Sequence, residues 1–112
     1  MNFLITLILL AISEIFGDFN FKTFARTGTS SSFFRGSLGY IGVIYFLIRS
    51  LRMSNVLYVN AQWDGMSAII ESLAAYFILG ERLNKPREYC GILVIILGIF
   101  MLHSTDGVIP YN

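Results

Sequence analysis

Apolar residues fill four long runs of this chain, and short polar intervals separate them. The runs cover residues 2–24, 33–51, 55–79 and 88–103. Each is close to the ~20 residues with which a helix crosses a ~30 Å hydrocarbon core. The connections leave no room for a separate soluble domain, so the expected architecture is all-α. Residues 1–112 read as one domain of four transmembrane helices, without an internal repeat that would pair its own halves. Four short helices hardly enclose a pathway for anything larger than a small ion, and a dimeric bundle is the natural remedy.

The third run interrupts its apolar pattern most. In NVLYVNAQWDGMSAIIESLAAYFILG, Asn55 to Gly80, the residues Asn60, Asp64, Ser67 and Glu71 fall at i, i+4, i+7 and i+11. That spacing is one stripe of a helix. Leu57, Val59, Ala61, Ile69, Leu73, Tyr76 and Phe77 occupy the other faces, and Gln62 is a further polar side chain. An ionisable group in hydrocarbon costs roughly 3 kcal/mol or more, so it faces a protein interior or a watery cavity. The stripe therefore predicts a polar pathway enclosed by several helices.

In the first run, NFLITLILLAISEIFGDFNFKTF, Glu14, Asp18 and Lys22 share a face at four-residue spacing, with Gly17 beside them. Lys22 is expected to snorkel to the interface and to pair with Asp18 one turn away. Glu14 sits midway along the run, with Leu10 and Asp18 one turn on either side and no cation. Loss of water disfavours the charged form of a carboxyl, so such a group can hold a proton at one moment and a cation at another. The alternative is a permanently protonated structural acid. Residues 3–12 have the apolar length of a signal peptide, but no positive segment precedes them and no cleavage pattern follows. RTGTSSS then reads as a loop.

The second run, FFRGSLGYIGVIYFLIRSL, places Gly36, Gly39 and Gly42 at every third residue. A nearly flat side of this kind permits close approach by another helix. Arg49, Arg52 and Ser54 form a short turn into the third run. In GERLNKPRE, Gly80 suits a left-handed C-cap and Pro86 an early helical position. The fourth run, EYCGILVIILGIFMLH, offers no chemistry. Its Gly91, Ile95 and Gly98 share a face whose expected role is a dimer interface, with lipid-facing packing as the alternative. The tail STDGVIPYN reads as extramembranous.

Composition agrees with a membrane location. Of 112 residues, 55% are hydrophobic and only 13% charged, against about 25% charged in soluble domains. Mean hydropathy is +0.68. A net charge of +1 and the lack of a basic stripe give no expectation of nucleic acid. Lone Cys90 excludes an intrachain disulfide, and with lone His103 leaves no metal constellation. No cofactor and no enzymatic activity are expected, since no Ser–His arrangement lies on facing runs. Lys22, Arg26 and Arg35 flank the first interval, and Arg82, Lys85 and Arg87 the third, against Arg49 and Arg52 at the second. The positive-inside rule then puts the first and third loops in the cytoplasm and both termini outside. So clear a bias disfavours an antiparallel homodimer. It leaves a parallel homodimer, or a heterodimer with an oppositely oriented paralogue.

Several residues together carry a resemblance. Glu14, Gly17 and Lys22 in the first run, Trp63 and Gly65 in the third, Gly80-Glu81-Arg82-Leu83 before the fourth, and Gly91 and Gly98 within it stand in one register. This order resembles the small multidrug resistance family of the drug/metabolite transporter superfamily, over essentially the whole chain. The resemblance implies a dimeric, proton-coupled exporter of cationic small molecules. It also implies that Glu14 binds protons and substrate alternately and that Trp63 lines the cavity. Asp18 stands where the family usually has a small hydroxyl residue, and Asn60 where drug exporters carry Tyr. Asp64 resembles the acidic residue of polyamine-exporting members, and Glu71 is an extra acid. So acidic a cavity suits small, multiply charged cations by charge complementarity.

The expected function is thus a proton-coupled antiporter exporting small, polyamine-like cations across the bilayer. Glu14, Asp18, Asn60, Trp63, Asp64 and Glu71 are its expected proton- and substrate-binding residues. Two other readings stay open: a non-transporting membrane scaffold of the same fold, and a translocator of a lipid-linked substrate.

Overall fold

The computed structural model of the protein describes residues 2–102. His103, at which the fourth run was expected to end, and the tail beyond it lie outside the described residues. Helices α1 (Phe3–Thr27), α2 (Ser30–Leu51), α3 (Val56–Phe77) and α4 (Pro86–Leu102) follow one another, joined by short connections.

Local chemistry explains the ends. Asn2 and Asn55 cap α1 and α3, their side-chain oxygens accepting from the amides of Ile5 and Tyr58 at 2.8 Å each, as N-cap residues do. Gly28, at φ 70°, stops α1 in the left-handed conformation, where a side chain would be strained. The expected RTGTSSS loop shrinks to Gly28 and Thr29. Helix α1 runs on through Thr27, whose hydroxyl turns back to the Thr23 carbonyl at 2.8 Å, and α2 already begins at Ser30. Hydroxyl side chains that satisfy carbonyls one turn back can stay helical, which a loop reading of Ser and Thr overlooks. Gly80 is left-handed and Pro86 opens α4, as the sequence indicates.

Helix α1 is the centre of the fold. It packs along α2 over most of its length and against α3, while α4 lies along α3 alone. Phe3, Leu7 and Leu10 of α1, Val43 of α2, and Tyr58 and Val59 of α3 form the buried core. The α1–α2 contact is backbone on backbone. A Cβ on Gly39 would come 2.7 Å from the Gly17 nitrogen and 2.9 Å from the Ser13 carbonyl oxygen. The glycine stripe of α2 therefore seats α1.

Outward surfaces are apolar. Phe34, Ile41, Leu57, Phe77 and Met101 are all exposed, and α4 buries no residue. Such a surface marks a membrane or partner contact. Helices α1 and α2 are long and apolar enough to cross a membrane. Helix α3, with Asn60, Gln62, Asp64 and Glu71 within it, and α4, described over 17 residues, fall short of that measure.

Gly39→Ala is expected to destabilise the protein by about 1–3 kcal/mol, the usual range for overpacking, because backbone has little room to give. A thermal melt in detergent should show the loss.

Candidate functional site

Three acids from two helices meet inside the bundle. Glu14 and Asp18 are one turn apart on α1, and Glu71 comes from α3. Each is half-buried, and one carboxylate oxygen of each lies within 4.8 Å of the others. Separation along the chain hides this arrangement, since Glu71 reaches the pair only because α3 crosses α1.

Hydroxyl groups hold the acids in place. The Ser67 hydroxyl, buried one turn before Glu71, donates to Glu14. The Tyr40 hydroxyl donates to Asp18 from α2. Tyr40 can do so because its ring lies against Gly17, where a Cβ would meet it at 2.6 Å. The sequence reading missed Tyr40, although it directly follows Gly39 and puts a polar tip in an apolar run. Asp18 is thus turned inward, away from the partner expected one turn on. Lys22 instead forms its ion pair with Glu81, in the α3–α4 connection. Asp18, Glu71, Lys22 and Glu81 together line an open cavity of about 490 Å³.

The other expected site residues lie apart. Asn60 and Asp64 share the stripe of Ser67 and Glu71 but are exposed on the single chain. Trp63 packs against the hydrophobic core, and its indole nitrogen is buried with no hydrogen-bond partner among the described residues. Gly91 and Gly98 face open space, and Ile95 is exposed but reaches within 4.0 Å of a Cβ built on Gly65. Gly65 gives α4 its seat on α3, since a side chain there would collide with Ile99.

Chemically, three clustered carboxyls have the charge to attract a cation or hold a proton. Coulomb repulsion at ~4 Å is worth about 1 kcal/mol in water and about 4 kcal/mol at protein surfaces. A bound cation would relieve that repulsion. The oxygen set has the spacing to meet one cation, organic or inorganic. The sequence reading put all three acids in one site but, counting only Cys and His, saw no metal constellation.

Over 64 residues, the chain is 34% identical to a curated Pseudomonas aeruginosa protein named a multidrug transporter. The matched stretch is 57% of this chain and spans 57% of that relative's length. No family model matches the chain, and no solved structure matches it. Helices α1 and α2 have the length and composition with which a helix crosses a membrane.

Neutralising one acid should relieve the repulsion only where the acids are ionised. Glu71→Gln is expected to stabilise the ligand-free protein by about 1 kcal/mol at alkaline pH and by nothing measurable at acid pH. Thermal melts at the two pH values test the difference.

Proposed function

We propose that this protein is a proton-coupled antiporter of the small multidrug resistance type, exporting small cationic compounds that resemble polyamines in charge. One observation carries the reading: Glu14, Asp18 and Glu71 converge beside an open cavity within a largely apolar bundle. A carboxyl cluster that must hold either protons or a cation couples the two by competition. Cation entry releases protons from the acids, and reprotonation from the other side of the membrane expels the cation. The Ser67 and Tyr40 hydroxyls orient the acids in both states.

In this reading all four helices span the bilayer, both termini are non-cytoplasmic, and two chains enclose the pathway. Whether the second chain is an identical copy or an oppositely oriented paralogue, the Gly91, Ile95 and Gly98 face of α4 is its seam. That assignment draws on the open space at both glycines. Dimerisation would bring Asn60, Asp64 and Trp63 to the pathway, where Asp64 gives a polycation a second carboxylate.

Glu14→Gln should abolish uptake of spermidine driven by a proton gradient in liposomes, while the variant still folds and elutes with the wild-type size. Undiminished flux would remove Glu14 from the mechanism.

Asp64→Asn should weaken spermidine more than tetramethylammonium and reduce the protons released on binding. Titration calorimetry in two buffers of different ionisation enthalpy measures that number. Equal weakening with unchanged proton release would make Asp64 a structural acid.

A further inference from the structure

A second cavity, of about 450 Å³, lies between α3 and α4. Ile69, Leu73, Phe77, Ile92 and Ile96 give it apolar walls. Ile69 to Phe77 is about 12 Å along a helix axis, so the groove is elongated. Its lining changes character at the α3–α4 connection, where Arg82 stands over the Tyr76 ring with its guanidinium carbon 3.7 Å from the centroid.

The guanidinium is fixed yet not used up. Its Nη1 donates to the carbonyl oxygens of Tyr76 at 2.9 Å and Glu81 at 2.8 Å. Among the described residues, no hydrogen bond engages its Nε or Nη2. Tyr76 is braced edge-on by Tyr89, whose hydroxyl accepts from the Leu83 amide at 3.0 Å. The wall and the cation above it are therefore held together.

Positive charge is in excess here, with Arg82, Lys85 and Arg87 beside Glu81 and Glu88. Glu81 also lines the cavity but is engaged by Lys22, and the Glu88 carboxylate accepts from the Lys85 amide at 2.9 Å. Among the described residues, Arg82, Lys85 and Arg87 form no ion pair. A cationic substrate would be repelled, a free anion would leave the apolar walls unused, and a zwitterionic lipid has no net charge to offer. An acyl chain with an anionic head answers both halves.

We propose that this groove binds an anionic phospholipid, with an acyl chain along the α3–α4 walls and the phosphate on Arg82, within the field of Lys85 and Arg87. The basic connection falls on the side that the positive-inside count makes cytoplasmic, where anionic lipids concentrate and attract juxtamembrane cations. The inference rests on the membrane location of the chain and not on antiport.

The test is native mass spectrometry of the detergent-purified chain, given equal amounts of phosphatidylglycerol and phosphatidylcholine with identical acyl chains. Phosphatidylglycerol should be retained in excess. Arg82→Gln should cut that excess about fivefold, the worth of one cation near a lipid surface, with helical circular dichroism unchanged. Should Arg82→Gln fail to fold, the Lys85→Gln/Arg87→Gln pair decides. Those two side chains make no hydrogen bond among the described residues, and their loss should also reduce the excess. Equal retention of the two lipids would overturn the proposal, as would an excess that survives neutralisation of the cations. Displacement of the lipid by inorganic phosphate would make this an anion site without an acyl chain. That result also refutes the proposal. Transport is not read, so failure here leaves the antiport reading untouched.

Discussion

Backbone contact between α1 and α2 is the constraint on which the rest depends. Around Gly17 and Gly39 the two helices approach so closely that one added carbon would strike main-chain atoms. Where surrounding lipid is as apolar as the protein, close packing of this kind replaces the hydrophobic drive for helix association. The contact also fixes a rotation about each helix axis. With Gly39 against Gly17, the adjacent Tyr40 must lie across α1, and its hydroxyl arrives at Asp18.

That rotation sets the polar interior. With α1 held by α2, Glu14 and Asp18 face the line along which α3 crosses, and Ser67 and Glu71 meet them there. The acids have both donors and neighbours of their own kind. Donors make a buried carboxyl tolerable, whereas like neighbours repel one another. Packing alone therefore brings the three acids together.

Helix α4 is held differently. It rests on α3 alone, buries no residue, and is admitted at Gly65. Its loose attachment leaves an apolar groove on one flank and an open glycine face elsewhere, so α4 presents most of its surface to its surroundings. Glu14, Asp18 and Glu71 gather within the bundle, while the basic residues lie toward the helix ends and in the connections. The Lys22–Glu81 pair links the two zones from the end of α1 to the connection before α4.

The sequence by itself determined the elements and their chemical character. Four apolar runs, Gly80 and Pro86 each act within a few residues, so the helices and the α3–α4 turn were legible without tertiary contacts, whereas the asparagine caps and the stop at Gly28 were not read. Glycines at every third position announced a close approach but not its partner. Helical periodicity put Glu14 beside Asp18 and Ser67 beside Glu71 within their own helices. It could not say that the two pairs touch, nor that Asn60 and Asp64 of the same stripe are exposed on the single chain. It also paired Lys22 with the wrong acid, because the nearer Asp18 is claimed by a tyrosine from another helix. Only the tertiary structure decided these matters. Periodicity gives each residue an angle about its own helix, whereas contact depends on where the helix axes cross.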